Sequence, residues 1–298
     1  LAVLVVALVL VILLGVVSHA LNDRINIAQQ AKQNLQDHAD VYGKINELGY
    51  LLTTQRLTVA GISSGQQPQG LLKDDEDHWL LEVIGDEIRT DSFIYTQSNQ
   101  LQYSIQNEAG LIGINSRGQF WLKKTLASYG FSVVEQARFA DILADYADSD
   151  DWARPAGAES YAYQKINKPV PRNYLLQSCA ELWRLERWSE WLNQHNEWLE
   201  FCSVSRDDTR NINSIPFALW KHLWPASADK VYAQRAAGRW FIRNKDVALV
   251  EPSIAHYQEE NYSQLFGNIF ILNVSKGKVF YSIRVEIGKV RQHPLVWR

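Results

Sequence analysis

LAVLVVALVLVILLGVVSHA fills residues 1–20, and its reading decides the architecture. Residues 1–17 are apolar or Gly throughout, and the first formal charge comes at Asp23, close to the ~20 residues that cross the hydrocarbon core of a bilayer. The segment reads as a membrane span. A cleaved signal peptide would carry a shorter apolar run, and Ser18-His19-Ala20 only loosely imitates its cleavage site. Residues 21–60 hold no proline and keep largely apolar residues at helical spacing, from Ile25, Ala28, Ala31 and Leu35 to Ala39, Tyr42, Ile45, Leu48 and Leu52. The pattern predicts one helix running past the membrane, reaching about 80 Å at about 1.5 Å per residue, a shape suited to a filament or stalk. A membrane anchor followed by a separate amphipathic helix, broken near Gly43 or Gly49, fits the same spacing.

The 298 residues suffice for two ordinary domains. With 30 basic and 33 acidic residues intermixed and a net charge of -3, there is no basic footprint for nucleic acid. Methionine is absent and the chain begins at Leu1, which implies that a segment upstream has been removed. Cys179 and Cys202 are the only cysteines: they exclude a multi-cysteine metal site and leave either one disulfide, given an oxidising compartment, or two buried thiols.

Beyond the first helix, the turn-rich GISSGQQPQG (61–70) opens a region of short strands. Residues 92–96 and 101–106 read as a hairpin, and 268–274 with 279–287 as another, the latter placing Val279, Tyr281, Ile283, Val285 and Ile287 on one face. Helical periodicity marks 121–129, 134–147 and 178–201. The economical architecture is α+β, a domain of about 61–110 and 235–298 with an all-helical domain of 111–234 inserted. Ile114-Asn115-Ser116 and Ile212-Asn213-Ser214 each precede an apolar helix, with Asn or Ser placed to cap it, a faint internal repeat.

DYADSDDWARPAGAE (145–159) resembles a segment of the type II secretion protein K family that reads approximately D-W-x-D-x-D-D-x-x-x-P-x-G-A-E. GLIGINS (110–116) is similar to that family's G-L-x-N-x-N-S, Ala180-Glu181-Leu182 through Leu185 to its S-E-L-x-x-V, and Asn211-Ile212-Asn213-Ser214 to its I-N-x-N-T, all in family order. Tyr146 stands where Trp is usual, Gly113 replaces the first Asn, and residues 210–216 are likewise a variant. Most pseudopilins carry Glu early in the mature helix whereas protein K lacks it, and here no acid precedes Asp23.

The resemblance implies a long membrane helix, a pilin-like α/β domain and an inserted SAM-like helical domain. It further implies a prepilin-type leader removed by a peptidase, and a single-pass anchor in the inner membrane through residues 1–20 with the bulk periplasmic. The subunit would cap a pseudopilus with minor pseudopilins I and J, in contact with other pseudopilus subunits. The runners-up are a minor pilin of a type IV or competence pilus and a signal-anchored periplasmic hydrolase.

Asp145, Asp148, Asp150, Asp151 and Glu159 form either a solvated acidic turn or a hard-oxygen supply for Ca²⁺. The family resemblance implies calcium in the helical domain, and Asp148, Asp150, Asp151 and Glu159 are the expected ligands. No H-E-x-x-H or phosphate loop is present, and His195, His222 and His256 stand isolated, so the chain does not read as an enzyme. Trp188, Trp191 and Trp198 would share a helical face, as core or as a partner surface.

Overall fold

The computed structural model describes residues 2–65, 70–73, 79–256, 261–288 and 295–297; part of the 61–70 turn lies outside them. In chain order the elements are α1 (Ala2–Thr54), β1 (Leu57–Thr58), β2 (Gly61–Ile62), β3 (Leu71–Lys73), β4 (Trp79–Leu81), β5 (Ile88–Arg89), β6 (Tyr95–Thr96), β7 (Gln102–Asn107) and β8 (Ile112–Gly113). There follow α2 (Phe120–Ser128), α3 (Val133–Ala147), α4 (Ser160–Lys165), α5 (Trp188–Leu192), β9 (Cys202–Ser203), β10 (Arg210–Asn211), α6 (Phe217–Leu223), α7 (Ala228–Ala236) and α8 (Asn244–Val250). The chain ends on β11 (Tyr262–Ser263), β12 (Ile269–Lys276), β13 (Val279–Ile287) and β14 (Leu295–Trp297).

α1 is a single helix of 53 residues that passes through Gly43 and Gly49 unbroken. Its apolar stripe divides by function. Val41, Ile45, Leu48 and Leu52, spaced one turn apart, are buried against the sheet, whereas Leu13, Leu14, Val16 and Ile25 are more than half exposed. Leu10–Thr54 is long and apolar enough to cross a membrane.

The sheet that α1 lies against has the order β14-β13-β12-β7-β6, antiparallel throughout. Both hairpins expected from the sequence are present, the second closing at Lys276↔Val279 through Gly277, whose φ of 59° suits a residue without a Cβ. Lys276 at this tip pairs with Asp37 and Asp40 of α1, so the turn is tied to the helix. Alternation along β12 buries Phe270, Leu272 and Val274, and β13 turns Val279 and Val285 inward with Tyr281, Ile283 and Ile287 beside them.

Residues 112–262 build a second apolar cluster, around Trp188, Trp198 and Trp220. Phe241, Val247, Val250, Ile254 and Tyr262, which the sequence reading assigned to the sheet-bearing part, pack here. The expected helix over 178–201 is instead a 3-10 turn (Cys179–Arg184), α5 and a second 3-10 turn (Asn196–Phe201). The break falls at Arg187, with φ 59°, and it allows Trp188 to meet Trp191 at 5.8 Å and Trp198 at 5.3 Å between ring centroids. All three tryptophans are buried, so the shared face is core.

Candidate functional site

The acidic loop leaves the C-terminal end of α3. Asp145 is fully buried and accepts from the Arg154 amide at 3.1 Å and from its guanidinium at 2.5 Å; the same guanidinium reaches Asp148 at 2.5 Å. These two carboxylates hold Arg154 protonated well above its ordinary range. Gly157 packs so closely on Asp145 that any Cβ would overlap its carboxylate, which explains a glycine there. Asp150 accepts the Trp152 amide at 2.9 Å, and the Asn173 carboxamide spans the Asp150 carbonyl and the Asp151 carboxylate.

Glu159, only 7 % exposed at the start of α4, is different. Neither of its oxygens, nor Oδ1 of Asp148, has a hydrogen-bond partner among the described residues. Burial first, and then the charges of Asp145, Asp148 and Asp151, push Glu159 up to about 7. The donor chemistry therefore suits a hard cation, since three unpartnered carboxylate oxygens, two on Glu159 and one on Asp148, stand in a surplus of negative charge that Arg154 only partly offsets. The described residues do not gather three acidic, His or Cys side chains into a ready-made metal nest.

The repeated Ile-Asn-Ser segments have a role the sequence reading misassigned. Neither Asn caps the following helix. Asn115 donates through Nδ2 to the Leu176 carbonyl at 2.9 Å and accepts the Leu176 amide at 3.0 Å. Asn213 repeats this arrangement on Phe241, at 2.8 and 3.0 Å. Each carboxamide thus pairs both backbone groups of one distant residue as a strand neighbour would. Each segment also follows a two-residue parallel bridge, β8 with β9 and β10 with β11, and leads into α2 or α6. The second segment joins the sheet: Gln106 donates to the Ser214 carbonyl at 2.8 Å, and Arg235 donates to the carbonyls of Ile212 and Ile215. Arg235 also pairs with buried Asp91 at 2.8 Å, which Arg89 grips from its other side. Desolvation lowers the affinity of Arg235 for its proton, and Asp91 opposes that. Nothing in residue spacing marked these junction residues beforehand.

Cys179 and Cys202 are joined as a disulfide that ties the 3-10 turn after Ser178 to β9.

A membrane-length helix whose last third docks on an antiparallel sheet gives the fold a pilin-like arrangement. Residues 99–195 match the model of the family "Type II secretion system (T2SS), protein K". The matched stretch contains Asn115, the acidic loop and Cys179. Among solved structures, a chain of the GspK-GspI-GspJ complex from the type 2 secretion system of enterotoxigenic Escherichia coli aligns over 92% of this chain and 97% of its own. The TM-score is 0.56 at 13% identity, a likeness of fold. No curated protein is significantly similar to the chain.

Proposed function

We propose that the protein is a structural minor pseudopilin that caps a type II secretion pseudopilus, working by assembly with minor pseudopilins I and J rather than by catalysis. The observation that carries this reading is α1, which leaves its N-terminal apolar surface uncovered and buries Val41, Ile45, Leu48 and Leu52 under the sheet. A bilayer would cover Leu10 to Val17, and the helix between membrane and sheet would pack on neighbouring subunits. The anchor would lie in the inner membrane, with everything after it in the periplasm, an oxidising compartment where the Cys179–Cys202 bridge persists.

In this reading residues of about 112–262 form the inserted helical domain, later in its end than the boundary of 234 expected from the sequence, because Phe241, Val247, Val250, Ile254 and Tyr262 pack in the helical cluster. Its bulk beside the sheet suits a terminal subunit, since it would obstruct another stacked above. We further propose that calcium binds the acidic loop through Glu159 and Asp148, with Asp150 and Asp151 as the remaining candidate oxygens; a cation there would satisfy the orphaned oxygens.

Deletion of the gene tests the role. Export of the secreted proteins should stop while their synthesis continues, and the intact chain should restore it, whereas a version with Leu48→Asp, which puts a charge under the sheet, should not. Undiminished export in the deletion strain would refute the proposal.

A further inference from the structure

β13 is an edge strand for most of its length. β14 lies along its outer side only at Val285, Glu286 and Ile287, and from Val279 to Arg284 no described residue pairs with that side. The inner side is complete, because β12 pairs with β13 residue for residue from Val279 to Glu286 without a bulge. The Ile287 amide donates to the Asn268 carbonyl at 2.7 Å, which sets the phase of the ladder. In an antiparallel pair, alternate residues turn both backbone groups to the same neighbour. The odd-numbered residues of β13 therefore bond to β12, and Phe280, Ser282 and Arg284 direct their N–H and C=O groups outward from the sheet.

An open edge of this length is a template for another strand, and proteins ordinarily blunt such edges. The usual devices are missing here. Residues 279–284 hold no proline and no bulge, and their sole charge, Arg284, is held by Glu108 at 2.8 Å. The opposite edge, β6, is only two residues long. Apolar surface flanks the open stretch on both faces of the sheet. Phe280 is 64% exposed on the face turned away from α1. On the other face Tyr281 meets Tyr42 of α1, itself 49% exposed, at 4.9 Å between ring centroids.

We propose that this edge takes up an extended segment of another polypeptide, added antiparallel to β13 in line with β14. The backbone of the segment completes the ladder and supplies affinity, and its alternate side chains supply the preference. Residues beside Tyr281 and Tyr42 should be aromatic or branched, those beside Ser282 small and polar, and an acid at the far end would meet the exposed Lys278. A second copy of the chain does not fit. Antiparallel pairing of two β13 edges sets a two-fold axis normal to the sheet, which reverses α1 in the second copy and turns its apolar N-terminal run away from a shared bilayer. That exclusion rests on the membrane-anchored reading of α1. The open edge does not, and the inference stands whether or not the chain joins a pseudopilus.

The probe is the capped heptapeptide Thr-Val-Thr-Tyr-Thr-Val-Glu, labelled with fluorescein and titrated into the full chain in lipid nanodiscs. Anisotropy should show saturable binding, and hydrogen exchange at Phe280 and Ser282 should slow in its presence. Methylating the amide nitrogens of the three threonines, which would face β13, should weaken binding at least about tenfold. Methylating those of the two valines and the tyrosine, which would face away, should change it less than about twofold. Ser282→Pro removes one outward donor at an edge position where proline is tolerated; with its melt unchanged, it should weaken binding roughly tenfold. The proposal is overturned by the absence of saturable binding, by equal losses from the two methylation patterns, or by slow exchange at Phe280 and Ser282 before peptide is added. A dimer of the chain that Ser282→Pro dissolves would also overturn it, by placing a second copy at the edge.

Discussion

Nη2 of Arg210 lies over Gly113, so close that a Cβ built on the glycine would stand 2.7 Å from it. Arg210 is 1% exposed, none of its three nitrogens has a partner among the described residues, and burial draws it down to about 10. A Cβ at residue 113 would crowd both this side chain and the Ser205 carbonyl, 2.8 Å away. Gly113→Ala should therefore cost about 1–3 kcal/mol through overpacking. In Arg210→Ala the same change should cost less, although the Ser205 carbonyl would still stand 2.8 Å from the added Cβ, and thermal melts of the two single variants and the double variant measure the coupling.

Asp91 and Arg235 join the sheet to the helical part inside the protein. Removing one partner strands a buried charge, so Arg235→Ala should destabilise by about 3–5 kcal/mol. Asp91→Ala should do the same, although Arg89 can turn to solvent. Denaturant unfolding, followed by tryptophan fluorescence for the helical part and circular dichroism for the whole, would show whether the two parts lose their common transition.

The carboxamide clamps predict a chemical selectivity. Asn115→Asp and Asn213→Asp keep the shape and lose the donor, leaving the carbonyl of Leu176 or Phe241 unpaired and burying a carboxylate. Each should cost at least about 1–3 kcal/mol at neutral pH. Replacing the neighbouring exposed Arg117 by Ala should change melting temperature little.

Glu159 gives a pH signature. Its ordinary value of 4.5 is raised to about 7 in the folded state, so the folded protein holds the extra proton between those values. Stability should fall as pH rises through that window and level off above it, and Glu159→Gln should remove the slope. Calcium favours the ionised form, so at pH 8 it should raise the melting temperature over chelator, and at pH 5 it should do little. Equal melts with calcium and chelator at pH 8 would refute a site there.

The disulfide joins residues 23 apart in sequence, for which chain-entropy reasoning gives a stabilisation of about 3 kcal/mol. Cys179→Ser with Cys202→Ser should lower the melting temperature by several degrees.

What the sequence made legible was periodic. The apolar run and the stripe to Leu52 foretold α1, and the alternation from Val279 to Ile287 foretold β13 with its buried face. Trp188, Trp191 and Trp198 were placed together correctly, but on a continuous helix, because a single left-handed residue at Arg187 has no periodic signal. The Ile-Asn-Ser echo drew attention to the right asparagines and gave them the wrong task, since a cap is local whereas their partners lie 61 and 28 residues away. Arg154, the counter-cation of the acidic loop, escaped notice because the carboxylates alone were counted there.

The most direct test of the central claim is co-purification of the chain with minor pseudopilins I and J from the same source, sized on a column with and without chelator. The account predicts a stable ternary complex. Elution of the chain alone under both conditions, with I and J in separate fractions, would contradict it.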